Sequence, residues 1–115
     1  MKLLLACSAA LALSVPAPAQ LLGRWRVIGC ATSPGDPASC AKGEIVFDAD
    51  RWSVELPCCH AARAYTVDAV TAHDVAITSD GLRSDIRFAG DGTATWNPHV
   101  GDGRVGALTF VRAVP

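Results

Sequence analysis

The stretch Glu44-Ile45-Val46-Phe47-Asp48-Ala49-Asp50-Arg51-Trp52-Ser53-Val54-Glu55-Leu56 decides the fold. Ile45 and Phe47 alternate with Glu44, Val46 and Asp48, and then Trp52, Val54 and Leu56 alternate with Arg51, Ser53 and Glu55. Successive side chains of a strand point to opposite faces, so each half has one dry and one wet face, and no helical period competes. Asp48-Ala49-Asp50 between them is turn chemistry, and the stretch predicts an antiparallel hairpin.

The same period extends in both directions. Trp25 and Val27 alternate with Arg24 and Arg26; Tyr65, Val67 and Ala69 with Thr66 and Asp68; Val75 and Ile77 with Asp74, Ala76 and Thr78. Ile86 and Phe88 oppose Asp85 and Arg87, Ala94 and Trp96 oppose Thr93 and Thr95, and Leu108 and Phe110 oppose Thr109 and Val111. Three Trp, three Phe and Tyr65 all fall on the inner face. Ser79-Asp80-Gly81 and Gly90-Asp91-Gly92 supply further turns between consecutive strands, which favours a meander. The expected fold is all-β: a small eight-stranded antiparallel up-and-down barrel, closed so that no edge is left unpaired, with a two-layer sandwich as the alternative. Seven inward rings favour a filled interior over a deep pocket.

The first residues read as an export signal. Lys2 precedes the apolar run Leu3 to Val15, too short to span a bilayer, and Ala17-Pro18-Ala19 places small residues where a signal peptidase reads. The expected domains are a signal peptide over 1–19 and a single barrel over 20–115. The alternative is a lipid anchor at Cys7, since Leu4-Leu5-Ala6-Cys7 resembles a lipobox. No later run is long and apolar enough for a membrane span, so the expected location is periplasmic or secreted. Without Lys2 the mature chain has nine basic residues against eleven acidic ones. Their scattered placement offers no stripe for nucleic acid and no polybasic membrane patch.

Topology locates the candidate site. In an up-and-down barrel the connections at 30–42, 57–62, 79–81 and 98–105 share one end, and the tight links near 49, 71–73 and 89–92 share the other. Cys30, Cys40, Cys58, Cys59, His60 and His99 thus gather at one rim, beside the loops Ser33-Pro34-Gly35-Asp36-Pro37 and Asn97-Pro98-His99. Loops above a rigid scaffold are where binding residues concentrate, although plain solvated connections have the same composition. Alternation also sends Arg63 and Ser84 inward near this mouth. Arg63, His60, His99 and Ser84 are therefore the candidate ligand-binding residues, suited to a carboxylate or phosphate. The competing view is that Arg63 snorkels outward and each histidine is solvated.

Four cysteines remain once Cys7 is removed with the signal, an even number that reads as two disulfides in an exported domain. Three pairings exist. Crossing pairs from Cys30 and Cys40 to Cys58 and Cys59 are favoured over a Cys30–Cys40 bond with a vicinal Cys58–Cys59 bond, because adjacent cysteines demand an unusual peptide. Cys58-Cys59-His60 lacks the paired spacing of a metal site, so neither metal nor cofactor is expected. No nucleophile, base and orienting group can be assembled from the sequence, and Asp91 and Asp102 in their Gly-Asp-Gly turns are hairpin chemistry rather than a calcium loop.

Gly23-Arg24-Trp25 at the first strand, with Arg112 after Thr109-Phe110-Val111 at the last, resembles the lipocalin or calycin pattern. That resemblance implies that Trp25 packs under Arg112 and closes the narrow end of the barrel. Lipocalins are longer, and carry a helix before the last strand for which this chain has no room. In size the chain is more similar to small bacterial periplasmic barrels, among them metalloprotease inhibitors with a comparable Gly-x-Trp start. Those insert an extended N-terminal trunk, whereas only Gln20, Leu21 and Leu22 precede Gly23 in the mature chain. The functional expectation is an exported, non-enzymatic binding module that recognises a protein or envelope component through its cysteine-bearing rim, as an inhibitor does. The alternative is a carrier of a small acidic or apolar ligand in a shallow pocket at the mouth.

Overall fold

The computed structural model describes residues 15–32, 42–100 and 105–113. Nine strands form one antiparallel sheet: β1 (Gly23–Thr32), β2 (Gly43–Phe47), β3 (Arg51–Glu55), β4 (His60–Ala64), β5 (Thr66–Val70), β6 (Asp74–Ser79), β7 (Leu82–Phe88), β8 (Thr93–Trp96) and β9 (Val105–Arg112). Their order is β4-β3-β2-β1-β9-β8-β7-β6-β5. Every neighbour is consecutive in the chain except β1 and β9, which bring the two ends together from Trp25↔Arg112 to Thr32↔Val105. The result is a nearly closed meander barrel without a helix among the described residues.

The count of nine corrects the expected eight at one place. The segment His60–Ala64, read from sequence as part of a loop over 57–62, is a strand paired with β3 from Glu55↔His60 to Arg51↔Ala64. Antiparallel alternation along the sheet makes β4 and β5 run in the same direction, and Tyr65 alone separates them. Together they are one extended segment that changes partners at Tyr65, from β3 above to β6 below. The backbone there is anchored because Tyr65 N–H donates to Asp50 O at 3.0 Å and the phenol donates to Asp48 O.

Three register shifts interrupt the ladders, at Val27/Gly29 and Cys30/Thr32 against β9 and at Val67/Ala69 against β6, and two of them adjust the faces. Ile28 has no partner on β9, since Val27 pairs with Phe110 and Gly29 with Thr109. Ile28 keeps the outward face that alternation with Val27 gives it, 45% exposed, and the extra residue inverts the alternation beyond it, turning Cys30 onto the core. A second bulge at Asp68 does the same in β5, so Ala69, expected on the inner face with Tyr65 and Val67, is exposed.

The interior is filled. Trp25, Phe47, Trp52, Tyr65, Trp96 and Phe110 are buried and Phe88 packs half-buried against them. Phe47 meets Tyr65 edge-on at 6.0 Å and Trp96 at 5.1 Å, so rings from opposite walls touch across the barrel. No polar or charged residue is buried among the described residues. Where β1 and β9 meet, the Arg112 guanidinium lies 4.0 Å from the Trp25 ring centroid. Arg112 also donates to Leu22 O and Gln20 O, while Trp25 Nε1 donates to Leu21 O at 2.9 Å. The approach to the barrel is packed as well, with Leu21 fully buried, Ala17 against the core and Val15 bridged to Val67. The remainder of the predicted signal, Cys7 included, lies outside the described residues.

Candidate binding cleft

Two tryptophans form the floor of the site. Trp52 on β3 and Trp96 on β8 are each 2% exposed and meet edge to face, with centroids 5.0 Å apart. A buried indole N–H needs an acceptor, and each finds a serine: Trp52 one across the barrel on β6, Trp96 one on the adjacent strand β7. Trp52 Nε1 donates to Ser79 Oγ at 2.8 Å, and Trp96 Nε1 donates to Ser84 Oγ at 2.9 Å. Having accepted from an indole, each hydroxyl keeps its own proton to offer into the space above. The two hydroxyls are thereby fixed in direction, and each can donate a hydrogen bond into the cleft.

The walls carry charge. Arg63 pairs in register with Trp52, so both side chains leave the sheet on the same face. Its guanidinium lies 3.4 Å from Asp80, an exposed and loosely held ion pair. Asp80 is placed by a tight turn: Ser79 pairs with Leu82, and the residues between them, Asp80 and Gly81, have φ of 51° and 77°. Such values define the two-residue hairpin turn that Asp-Gly favours. Opposite, His99 has a φ of 59° and its N–H donates to Asn97 Oδ1 at 2.9 Å, while Pro98 is buried. Leu82, 51% exposed, forms the lip.

These residues enclose a cleft of about 240 Å³ at the barrel mouth. It opens where β4 runs past the end of β6, because the strand pairing changes at Tyr65 and leaves β4 without a strand partner on that side. Three of the four candidates from sequence, Arg63, Ser84 and His99, line it. His60 does not; it sits exposed at the start of β4, paired with Glu55. Sequence reasoning missed Ser79, Asp80 and the two tryptophans as cleft residues. Asp80 read as turn chemistry, which it also is, and the indoles read as core.

The cysteines form a different arrangement from the favoured crossing pairs. Cys58 is bonded to Cys59 across a trans peptide at the tip of the β3–β4 hairpin. Reciprocal hydrogen bonds between Leu56 and Cys59 close that hairpin, so the two sulfurs sit on a turn of Pro57 and Cys58 rather than reaching for β1. Cys30 is also disulfide-bonded. Cys40 lies outside the described residues. Among the described residues no group of three or more His, Cys, Asp or Glu stands close enough to hold a metal ion.

Among the described residues two ionisations are displaced. The Tyr65 phenol is pushed up to about 12, first by burial and then by the nearby charges of Asp48 and Asp50. Asp91 is lowered because its carboxylate accepts from the Thr93 hydroxyl and backbone N–H. Neither group belongs to the cleft. Compared with protein families, with curated proteins and with solved structures, the chain matches none.

Proposed function

We propose that this chain is an exported binding module without chemistry of its own, and that it takes a small carboxylate-bearing molecule in the cleft at its mouth. The observation that carries the reading is the convergence of Arg63, Ser84 and His99 over a floor of two serine-tethered tryptophans. Among the described residues the core is filled, which favours a ligand held at the rim. A cleft of about 240 Å³ lies below the usual ~300 Å³ of small-molecule sites and suits a small occupant. Arg63 presents a planar donor fork to a carboxylate, the serine hydroxyls add donors, and the indole edges with Pro98 and Leu82 cover an apolar body. Paired cysteines in a small domain fit an oxidising compartment, in keeping with export.

Docking of a protein or envelope component on the same end is a second reading, favoured by the exposed Leu82 at the lip. Native mass spectrometry of protein purified from its own host separates the two. A co-purifying small molecule, lost in Arg63→Ala, supports the first; a protein captured by the intact chain with no bound small molecule supports the second. If neither species accompanies the protein, the binding-module reading falls.

A further inference from the structure

The cleft holds an anion as well as a cation. Asp80 lies 3.4 Å from Arg63 at the same opening, and both are solvent-accessible there. A simple carboxylate entering to meet Arg63 would have to displace Asp80 from it and then rest beside that negative charge, a repulsion that lowers affinity. A molecule with both signs on neighbouring atoms meets no such obstacle: its carboxylate takes Arg63 while its ammonium takes Asp80, and no charge is left unpaired.

We infer that the ligand is a free α-amino acid with an apolar side chain of about leucine size. The inference rests on the proposed small-molecule function and names its ligand class. Three features of the cleft match three parts of such a molecule. Arg63 with His99 faces the carboxylate, Asp80 faces the ammonium, and the Trp52 and Trp96 edges with Leu82 and Pro98 face the side chain. Ser79 and Ser84 supply further hydroxyl donors to carboxylate oxygens. A peptide C-terminus fits less well, because an amide replaces the ammonium and leaves Asp80 against a neutral group. A peptide N-terminus fails at Arg63 for the reverse reason.

The test uses calorimetric titration with L-leucine and with its two halves, 4-methylpentanoate, which lacks the ammonium, and 3-methylbutylamine, which lacks the carboxylate. The full chain and Asp80→Asn are compared. Asparagine also adopts positive φ in this kind of turn, so the variant keeps the hairpin and removes only the charge; unchanged circular dichroism and unfolding midpoint check this. The expected result is that leucine binds at least about tenfold tighter than either half, equivalent to ~1.4 kcal/mol. Asp80→Asn then erases the preference over 4-methylpentanoate. If 4-methylpentanoate binds as tightly as leucine, or if Asp80→Asn leaves the preference intact, the amino-acid inference is overturned while carboxylate binding stands. If none of the three probes binds, both are overturned.

Discussion

Gly23 and Arg112 share a space that admits only one of a side chain or a guanidinium. A Cβ built on Gly23 would lie 2.9 Å from Arg112 Nη1, and Gly23 has a φ of 118° that L side chains rarely adopt. The Gly-x-Trp start therefore has a physical meaning: glycine clears the path by which Arg112 reaches the Trp25 ring and the carbonyls of Gln20 and Leu22. Gly23→Ala is expected to lower stability by about 2 kcal/mol through backbone strain and loss of these contacts. Denaturant unfolding measures the loss, and a change in tryptophan emission reports the displaced guanidinium.

Arg112→Lys tests the same seam differently. A lysine ammonium retains charge but cannot lie flat on the indole while reaching two carbonyls, so a loss of about 1 kcal/mol is expected. A variant as stable as the parent would show that the charge alone matters.

Tyr65 makes the fold sensitive to alkali. Its folded-state value of about 12 exceeds the ordinary 10, so the stabilisation from the neutral, hydrogen-bonded phenol is complete below pH 10. It is lost as pH rises from 10 through 12, by at most about 3 kcal/mol. Tyr65→Phe cannot ionise and should flatten stability across that window when unfolding is followed against pH.

The indole tethers predict a coupling. Ser84→Ala leaves the buried Trp96 N–H without its acceptor and should cost about 1–2 kcal/mol. In a Trp96→Phe background the same change should cost far less, and a double-mutant cycle measures the difference.

The disulfide makes a prediction that needs no stability measurement. Trypsin cuts after Arg51 and Arg63, releasing Trp52–Arg63 with Cys58 and Cys59 on one peptide. Without reductant this peptide should appear alone and lighter than its dithiol form by two hydrogens. Attachment of a second peptide carrying Cys30 would restore the crossing arrangement.

What could be read in advance follows from where the signal is periodic. Strands with one dry face, such as Trp52-Ser53-Val54, announce themselves, and all seven rings lie in or against the core where alternation places them. β4 was hidden because Ala61-Ala62-Arg63-Ala64 has no dry face; it is a strand by backbone pairing to β3, a property invisible to hydropathy. The bulges at Ile28 and Asp68 were hidden for a related reason, since one inserted residue leaves no mark on composition while inverting every side chain beyond it. Arg63 and Ser84 were legible from alternation alone, and His99 from its loop. His60 was not, because its proximity to the mouth in sequence became a position on the outside of a hairpin tip.

The strand order carries a kinetic consequence. All ladders but one join consecutive strands, so the chain can collapse as two independent meanders, residues 23–64 and 66–112, each needing only short loops to close. The remaining ladder, β1 with β9, spans nearly the whole barrel domain, and it alone imposes a large search. Folding speed should thus respond weakly to substitutions in the hairpins and strongly to those at Val27, Cys30, Leu108 and Phe110, where the far ends of the polypeptide must find each other.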